Sequence, residues 1–283
     1  MDISSSDSAL GGTILVTGAT QGLGRRLVLD LAVRGAAATL LLHGRDGGRL
    51  DDVAAEVRSA APGTEVRTQL ADLADLDQVR AMAARILDTE PRLDVLVNNA
   101  AVGGGATPDR REVSRQGYEL RFAVNHVAPY LLTRELLPLL TASAPARVVN
   151  VASMGQAPVD FDDVMVERDY EGLDAYCRSK LAMIMSTFDL AAELAEGAGT
   201  GVTVNALHPA HLMDTRAVRE YGFTPAVPVD EGVRPVVRLI TDPALATVTG
   251  RYFDRFTDAR AHEQAYDPAA RARLAAVTRA LIA

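Results

Sequence analysis

The stretch Thr13-Ile14-Leu15-Val16-Thr17-Gly18-Ala19-Thr20-Gln21-Gly22-Leu23-Gly24 decides the fold of this chain. Its first five residues are apolar or β-branched, as in a short buried strand, and from Gly22 onward the apolar residues recur at helical spacing. Gly18, Gly22 and Gly24 span the passage from strand into helix, where they permit a tight turn and close approach of backbone to a ligand. The N–H groups opening the helix then face an anion with the favourable end of the helix dipole. Taken alone, such a turn can be a plain connection. At the head of an alternating pattern it predicts a dinucleotide site built on Gly18, Thr20, Gln21, Gly22, Leu23 and Gly24.

Outward from that turn the pattern repeats. Further strands are expected at 38–43, 65–69, 94–97, 147–151, 202–207 and 250–253. Helices are expected at 22–34, 49–59, 76–88, 117–140, 173–194 and 228–239, with an amphipathic final helix over 267–283. Strands alternating with helices call for an α/β fold, here a single-domain doubly wound parallel sheet of Rossmann type with helices on both faces. No repeat or low-complexity linker divides the 283 residues. The expected organisation is a polar tail over 1–12 and one catalytic domain over 13–283.

The net charge of -8 argues against a nucleic-acid partner, which would call for a basic face. One cysteine, Cys177, excludes an internal disulfide and any multi-cysteine zinc site. Residues 1–10 lack the basic and apolar regions of a secretory signal, and no window reaches the length of a membrane span. The expectation is a soluble, cytoplasmic protein. His208 and His211 lack a third ligand at metal-binding spacing, and Asp160, Asp162 and Asp163 read as a solvated turn, so no metal is expected.

The second strand ends in Leu42-His43-Gly44-Arg45-Asp46. An acidic residue at this point suits the free ribose of NAD, whereas Arg suits a 2′-phosphate. Arg45 therefore favours NADP(H), while Asp46 leaves NAD open.

Of the 29 Lys and Arg side chains, every one but Lys180 is Arg. Lys180 follows Tyr176 by four residues, which puts ammonium and phenol on one helix face. A compact ammonium is not interchangeable with a planar guanidinium. A phenol titrates near 10, and a neighbouring cation favours its ionised form.

Taken together, the Gly18-x-x-x-Gly22-x-Gly24 turn, Asp72-Leu73, Asn98-Asn99-Ala100, Asn125, Ser153, Tyr176-x-x-x-Lys180 and His208-Pro209 resemble the short-chain dehydrogenase/reductase family. The stretches Phe122-Ala123-Val124-Asn125-His126 and Asp160-Phe161-Asp162-Asp163-Val164 are similar to its retinol-dehydrogenase-like, NADP(H)-using group. The resemblance implies that Asp72 meets the adenine ring, with Leu73 beside it, and that Asn99 and Ala100 wall the adenosine ribose. It further implies that Lys180 holds the nicotinamide ribose, that Pro209 lies near the nicotinamide, and that Thr215 lies on its carboxamide side. Ser153 would donate to the substrate oxygen, Tyr176 would deliver the proton, and Asn125 would hold a water linking Lys180 to solvent. Three positions depart from the pattern: Ala101, followed by Gly103-Gly104-Gly105, Ala210 after Pro209, and Ala152 before Ser153.

The expected activity is interconversion of a ketone or aldehyde and its alcohol. A dinucleotide-binding regulator without turnover, or a dehydratase or epimerase on the same fold, is the alternative. Segments 154–175 and 211–228 are long enough to cover a cleft, and their mixed apolar content suits an apolar small-molecule substrate, although a packed core loop accounts for it equally well. The apolar richness of 117–140 and 173–194 suggests a homodimer or homotetramer, although helices buried within one subunit would read the same.

Overall fold

The computed structural model describes residues 12–105, 107, 109–196 and 199–283. The expected tail therefore lies outside the described residues, apart from Gly12. Seven parallel strands form the sheet: β1 (Thr13–Val16), β2 (Thr39–Gly44), β3 (Glu65–Leu70), β4 (Val95–Asn98), β5 (Ala146–Val151), β6 (Val202–His208) and β7 (Tyr252–Asp254). An eighth strand that the sequence reading did not anticipate, β8 (Thr257–Ala259), pairs antiparallel with β7. It is three residues long and mostly exposed, too short and polar to show a period.

The strand order is β3-β2-β1-β4-β5-β6-β7-β8, so the winding reverses between β1 and β4. At such a reversal the loops leaving the two strands diverge and open a crevice at their carboxyl ends. The Gly turn follows β1, and Asn99 follows β4.

Side-chain alternation along the strands divides the core. Leu15, Leu41 and Leu96 join one apolar layer with helices α3 (Leu76–Thr89), α5 (Ala128–Ala142), α6 (Gly172–Glu196) and α9 (Pro268–Ile282). Their neighbours Ile14, Val16, Leu40, Leu42, Val95 and Val97 join the other, with α1 (Gly22–Val33), α2 (Gly47–Ala60) and α8 (Val229–Thr241). A strand covered on both faces reads as a continuous apolar run, which is why β1, β2 and β4 stand out in the sequence. Leu15 is fully buried. Cutting such a side chain to Ala costs about 2–5 kcal/mol.

Local chemistry sets several boundaries. The carboxylates of Asp46, Asp75 and Asp267 accept backbone N–H groups at the starts of α2, α3 and α9, the arrangement favoured at helix N-termini. The expected helix over 117–140 is interrupted. It begins as α4 (Leu120–Phe122), widens into a π-helical turn over Ala123–Val127, and continues as α5. Such wide turns are uncommon and tend to occur at functional sites. This one carries Asn125 at its centre. A further short helix, α7 (Arg216–Glu220), lies in the stretch expected as a cover.

The apolar richness of α6 is satisfied largely within the chain. On one flank it packs against α9, which is held by Arg271 on Asp189 at 2.7 Å and by Leu274, Ala270 and Thr278, all buried. His126 Nε2 and Thr278 Oγ1 lie 2.8 Å apart, and Tyr118 donates to the Leu281 carbonyl at 2.9 Å, so α9 also bears on the π turn. Among the described residues, no helix is long and apolar enough to cross a membrane.

Candidate active site

A cleft of about 600 Å³ opens along the crevice and gathers the loops that follow β1 through β6. At one end, the path of the Gly turn leaves no room for a side chain at Gly18 or Gly24. Gly18 has a φ of +67°, and a Cβ there would stand 2.8 Å from Ala100 Cα. A Cβ on Gly24 would stand 2.1 Å from the Gly18 carbonyl oxygen, and one on Gly44 would stand 2.5 Å from Thr20 Cγ2. These glycines answer to close backbone approach, the feature that a phosphate cradle requires.

The turn is also tied to the strands on both sides. Thr17 Oγ1 accepts the N–H groups of Asn99 (2.9 Å) and Ala100 (3.0 Å), while Asn99 Nδ2 donates back to the Thr17 carbonyl at 2.8 Å. The Gly18 N–H donates to His43 Nδ1 at 3.2 Å. His43 Nε2 therefore carries the proton and donates to the Ala71 carbonyl at 3.1 Å. Burial pushes the His43 pKa down to about 4, so the ring is neutral. Thr17 and His43 carry no signal in the sequence alone, because a hydroxyl and an imidazole at two strand ends mean nothing until the strands are placed side by side.

Arg45 is exposed and lines the cleft. Its neighbour Asp46 is committed elsewhere: one carboxylate oxygen accepts the Arg49 N–H at 3.1 Å, and the other faces the Arg49 guanidinium at 3.5 Å. Asp72 lines the cleft with Leu73, and one of its oxygens accepts the Ala74 N–H at 2.9 Å. Asn98 faces inward instead, donating to Thr133 and Asn150.

At the other end of the cleft, β5 delivers Ser153 and α6 delivers Tyr176 and Lys180. Lys180 is buried, its Nζ donates to the Val151 carbonyl at 2.8 Å, and it stands 5.8 Å from the centre of the Tyr176 ring. Burial lowers its pKa to about 7. The Tyr176 phenol is pushed up by burial, and its hydrogen bond with Ser153 offsets part of the rise. That reverses the expectation of a phenol made acidic by Lys180. Removal from water sets the direction, and the Lys180 amine is engaged with the Val151 carbonyl, so Tyr176 holds its proton. Ser153 Oγ also accepts the Gly155 N–H at 3.0 Å, and Tyr252 donates to the Ser153 carbonyl at 3.0 Å.

Asn125 is fully buried. Its oxygen accepts the Val102 N–H at 2.8 Å, and its amide donates to the Val102 carbonyl at 2.9 Å and to Ser179 Oγ at 3.0 Å. The side chain thus ties the loop after β4 to the residue beside Lys180. Pro209 lines the cleft, and Thr215 stands against the Gly turn, with its Cγ2 3.4 Å from where a Gly22 Cβ would be. Nothing in the sequence singles out Arg121. It is fully buried behind the loop after β4 and donates to the carbonyls of Gly103 (3.1 Å) and Gly104 (3.0 Å).

The arrangement can seat a dinucleotide along the Gly turn and hold a polar substrate atom between Ser153 and Tyr176. Among the described residues, no group of three or more His, Cys, Asp or Glu side chains could hold a metal ion.

The short chain dehydrogenase family model matches residues 12–223. The chain belongs to the short-chain dehydrogenase family. Human retinol dehydrogenase 13 is 36% identical over 262 residues, covering 86% of this chain and 76% of that protein. Among solved structures, an uncharacterised protein from Mycobacterium paratuberculosis superposes with a TM-score of 0.76 at 28% identity, covering 96% of this chain and 93% of the other. A metagenomic short-chain oxidoreductase in complex with NADP gives 0.66 at 27% identity, covering 86% and 96%. This short-chain dehydrogenase is thus retinol-dehydrogenase-like in sequence and an oxidoreductase by family.

Proposed function

We propose that this short-chain dehydrogenase is an NADP(H)-dependent enzyme that interconverts a ketone or aldehyde and its alcohol, with Tyr176 delivering the proton to oxygen. The observation that carries the reading is the convergence of Ser153, Tyr176 and Lys180 in the cleft that the Gly turn also lines. NADP bound in the related oxidoreductase supports the cofactor. Arg45 facing the cleft, with Asp46 spent on capping α2, favours the 2′-phosphorylated form.

The residues fit the cofactor: glycines that tolerate no Cβ line the turn, and a buried amine stands deeper in the cleft. When bound, the reduced cofactor supplies a hydride to the carbonyl carbon. The electron pair of the C=O bond then moves onto oxygen, where Ser153 donates a hydrogen bond and Tyr176 gives its proton. Lys180 holds positive charge below about pH 7 and steadies the phenolate left behind. Asn125 positions Lys180 through Ser179 and shapes the cleft through Val102. Oxidation of the alcohol runs these steps backward.

Leu120, Val124, Met154, Leu173 and Phe223 line the substrate end and support an apolar substrate. A reducing, cytoplasmic location accords with NADPH and with a free Cys177. For assembly we propose a homodimer through the partly exposed strip of Tyr130, Arg134 and Leu137 on α5, the flank that α9 leaves open. Light scattering on the purified protein tests that assembly.

NADPH consumption against a panel of aromatic, steroid-like and polyketide-like ketones, with alcohol product identified, tests the activity. Reduction of at least one apolar ketone, with NADH much poorer, is the expected result. Consumption of no ketone and oxidation of no alcohol would overturn it.

A further inference from the structure

His126 leaves one of its two ring nitrogens unpaired in the core. It follows Asn125 in the π turn and is buried, with the rings of Phe122 and Tyr130 at 4.9 Å and 6.2 Å. Its Nε2 lies 2.8 Å from Thr278 Oγ1, and the Thr278 hydroxyl proton goes to the Leu274 carbonyl at 2.9 Å. Thr278 therefore accepts at His126, Nε2 carries the ring proton, and Nδ1 is a bare acceptor with no partner among the described residues. A buried polar atom without a partner costs stability, and an apolar ring in its place would not. The reason for a histidine at this position is the bond that Nε2 makes.

That bond ties the π turn to α9. Thr278, fully buried, belongs to α9, which lies beyond residues 12–223, the extent of the family match. The helix is well anchored: Arg271 holds Asp189 on α6, Tyr118 reaches the Leu281 carbonyl, and Arg80 reaches the Ile282 carbonyl. On the other side of the bond, the turn is closed by the Ala128 N–H on the Ala123 carbonyl, five residues back.

What the turn aims is Asn125. Its side chain holds both backbone groups of Val102 and the Ser179 hydroxyl, and so couples the loop after β4 to the residue beside Lys180. Closing the turn to ordinary α-helical spacing would drop its extra residue and swing the side chains on one side of it by about 100° around the axis. Asn125 could not then keep both partners. A π turn is the rarer form, so contacts from outside the helix must hold it.

We propose that Thr278 and His126 are positioning residues for carbonyl reduction: through their hydrogen bond, α9 holds the π turn in the register that aims Asn125 at Val102 and Ser179. The consequence for turnover rests on the reductase reading above; the hold on the turn does not.

Thr278→Val keeps the shape of the side chain and removes the acceptor, whereas Thr278→Ser keeps the acceptor. In the full chain, amide hydrogen exchange is followed over 123–128 and at Val102, and kcat and KM are measured with NADPH and an apolar ketone. Exchange in Thr278→Val should quicken about five- to a hundredfold, the effect of one buried donor left unpaired. Its kcat should fall about ten- to a hundredfold, as for a group near the reacting atoms displaced by about 1 Å, with KM for NADPH little changed. Thr278→Ser should restore both values. Tyr118→Phe, which frees α9 at another point and leaves the bond intact, should change neither. Thr278→Ala is read in the same way if Thr278→Val does not fold. Unchanged exchange in Thr278→Val overturns the hold, and quickened exchange with unchanged kcat overturns the positioning role. Equal losses in Thr278→Ser or in Tyr118→Phe would trace the effect to packing or to docking of α9, and overturn the hydrogen bond as its cause. Should the unaltered protein reduce no ketone, the reductase reading and the positioning role fall together, and hydrogen exchange still decides the hold.

Discussion

The two ends of the cleft are built from different materials. The end around Gly18 and Gly24 is made of backbone: its shape follows from positions where no Cβ fits and from N–H groups whose partners lie on adjacent strands. The end around Tyr221 is made of side chains reaching between segments far apart in sequence, 50 residues in the case of Tyr221 and Glu171. Backbone construction fixes one shape and serves a ligand common to many enzymes. Side-chain construction can be changed one residue at a time, which suits the part of a cleft that must select a substrate.

If that contrast is right, substitutions at the two ends should fail in different ways. The largest effect is expected where chemistry and geometry meet. Tyr176→Phe should lower kcat by about 10²–10⁴-fold, the usual share of general acid catalysis, while fluorescence titration shows NADPH binding within a few-fold of the unaltered protein. At the backbone end, Gly24→Ala should damage fold and binding together. Its Cβ would collide with the Gly18 carbonyl, and urea unfolding should show a loss of about 1–3 kcal/mol, the usual cost of overpacking. Arg45→Ala should leave stability nearly untouched and weaken NADPH by about ten- to a hundredfold, with little change for NADH. That range is the worth of a hydrogen bond to a charged group.

Acidity separates the regions further. Burial holds His43, His126 and His208 at about 4, 3 and 4, against an ordinary 6.5. Between those values the folded protein binds fewer protons than the unfolded one, so stability should fall as pH drops from 6.5 toward 4. His43→Gln, which keeps one donor and one acceptor, should flatten part of that slope in urea midpoints measured against pH. Lys180, lowered to about 7, titrates in a higher window. Folded and unfolded chains differ between about 7 and 10.5, stability should rise with pH across that range, and Lys180→Met should abolish the rise. The smallest effect is expected at Asp46→Ala, a loss of about 1 kcal/mol from the uncapped α2 with unchanged cofactor preference.

The same contrast explains what could be read from the chain alone. Strands buried on both faces and the glycine turn follow from local spacing, and they were enough to place the sheet; the oxidoreductase chemistry came instead from the family resemblance that Tyr176-x-x-x-Lys180 and the other motifs carry together. The π turn at Asn125 was not legible, because all five residues of Ala123–Val127 are buried and no apolar period exists there to show a shift. Nor was β8, whose three residues are too few to show a period. The rise in the Tyr176 pKa depends on how much water the fold removes and on which carbonyl the amine finds, and neither is encoded within four residues. Arg121, Glu171 and Tyr221 read as ordinary surface residues until folding brings them together.

The central claim is that hydride passes from NADPH to a carbonyl carbon in this cleft. NADPH carrying deuterium in its transferable position at nicotinamide C4, incubated with the protein and a reactive apolar ketone, tests it most directly. The account predicts an alcohol bearing the label on its carbinol carbon, formed by the unaltered protein and nearly absent with Tyr176→Phe. Alcohol that lacks the label, or undiminished labelling by Tyr176→Phe, would contradict it.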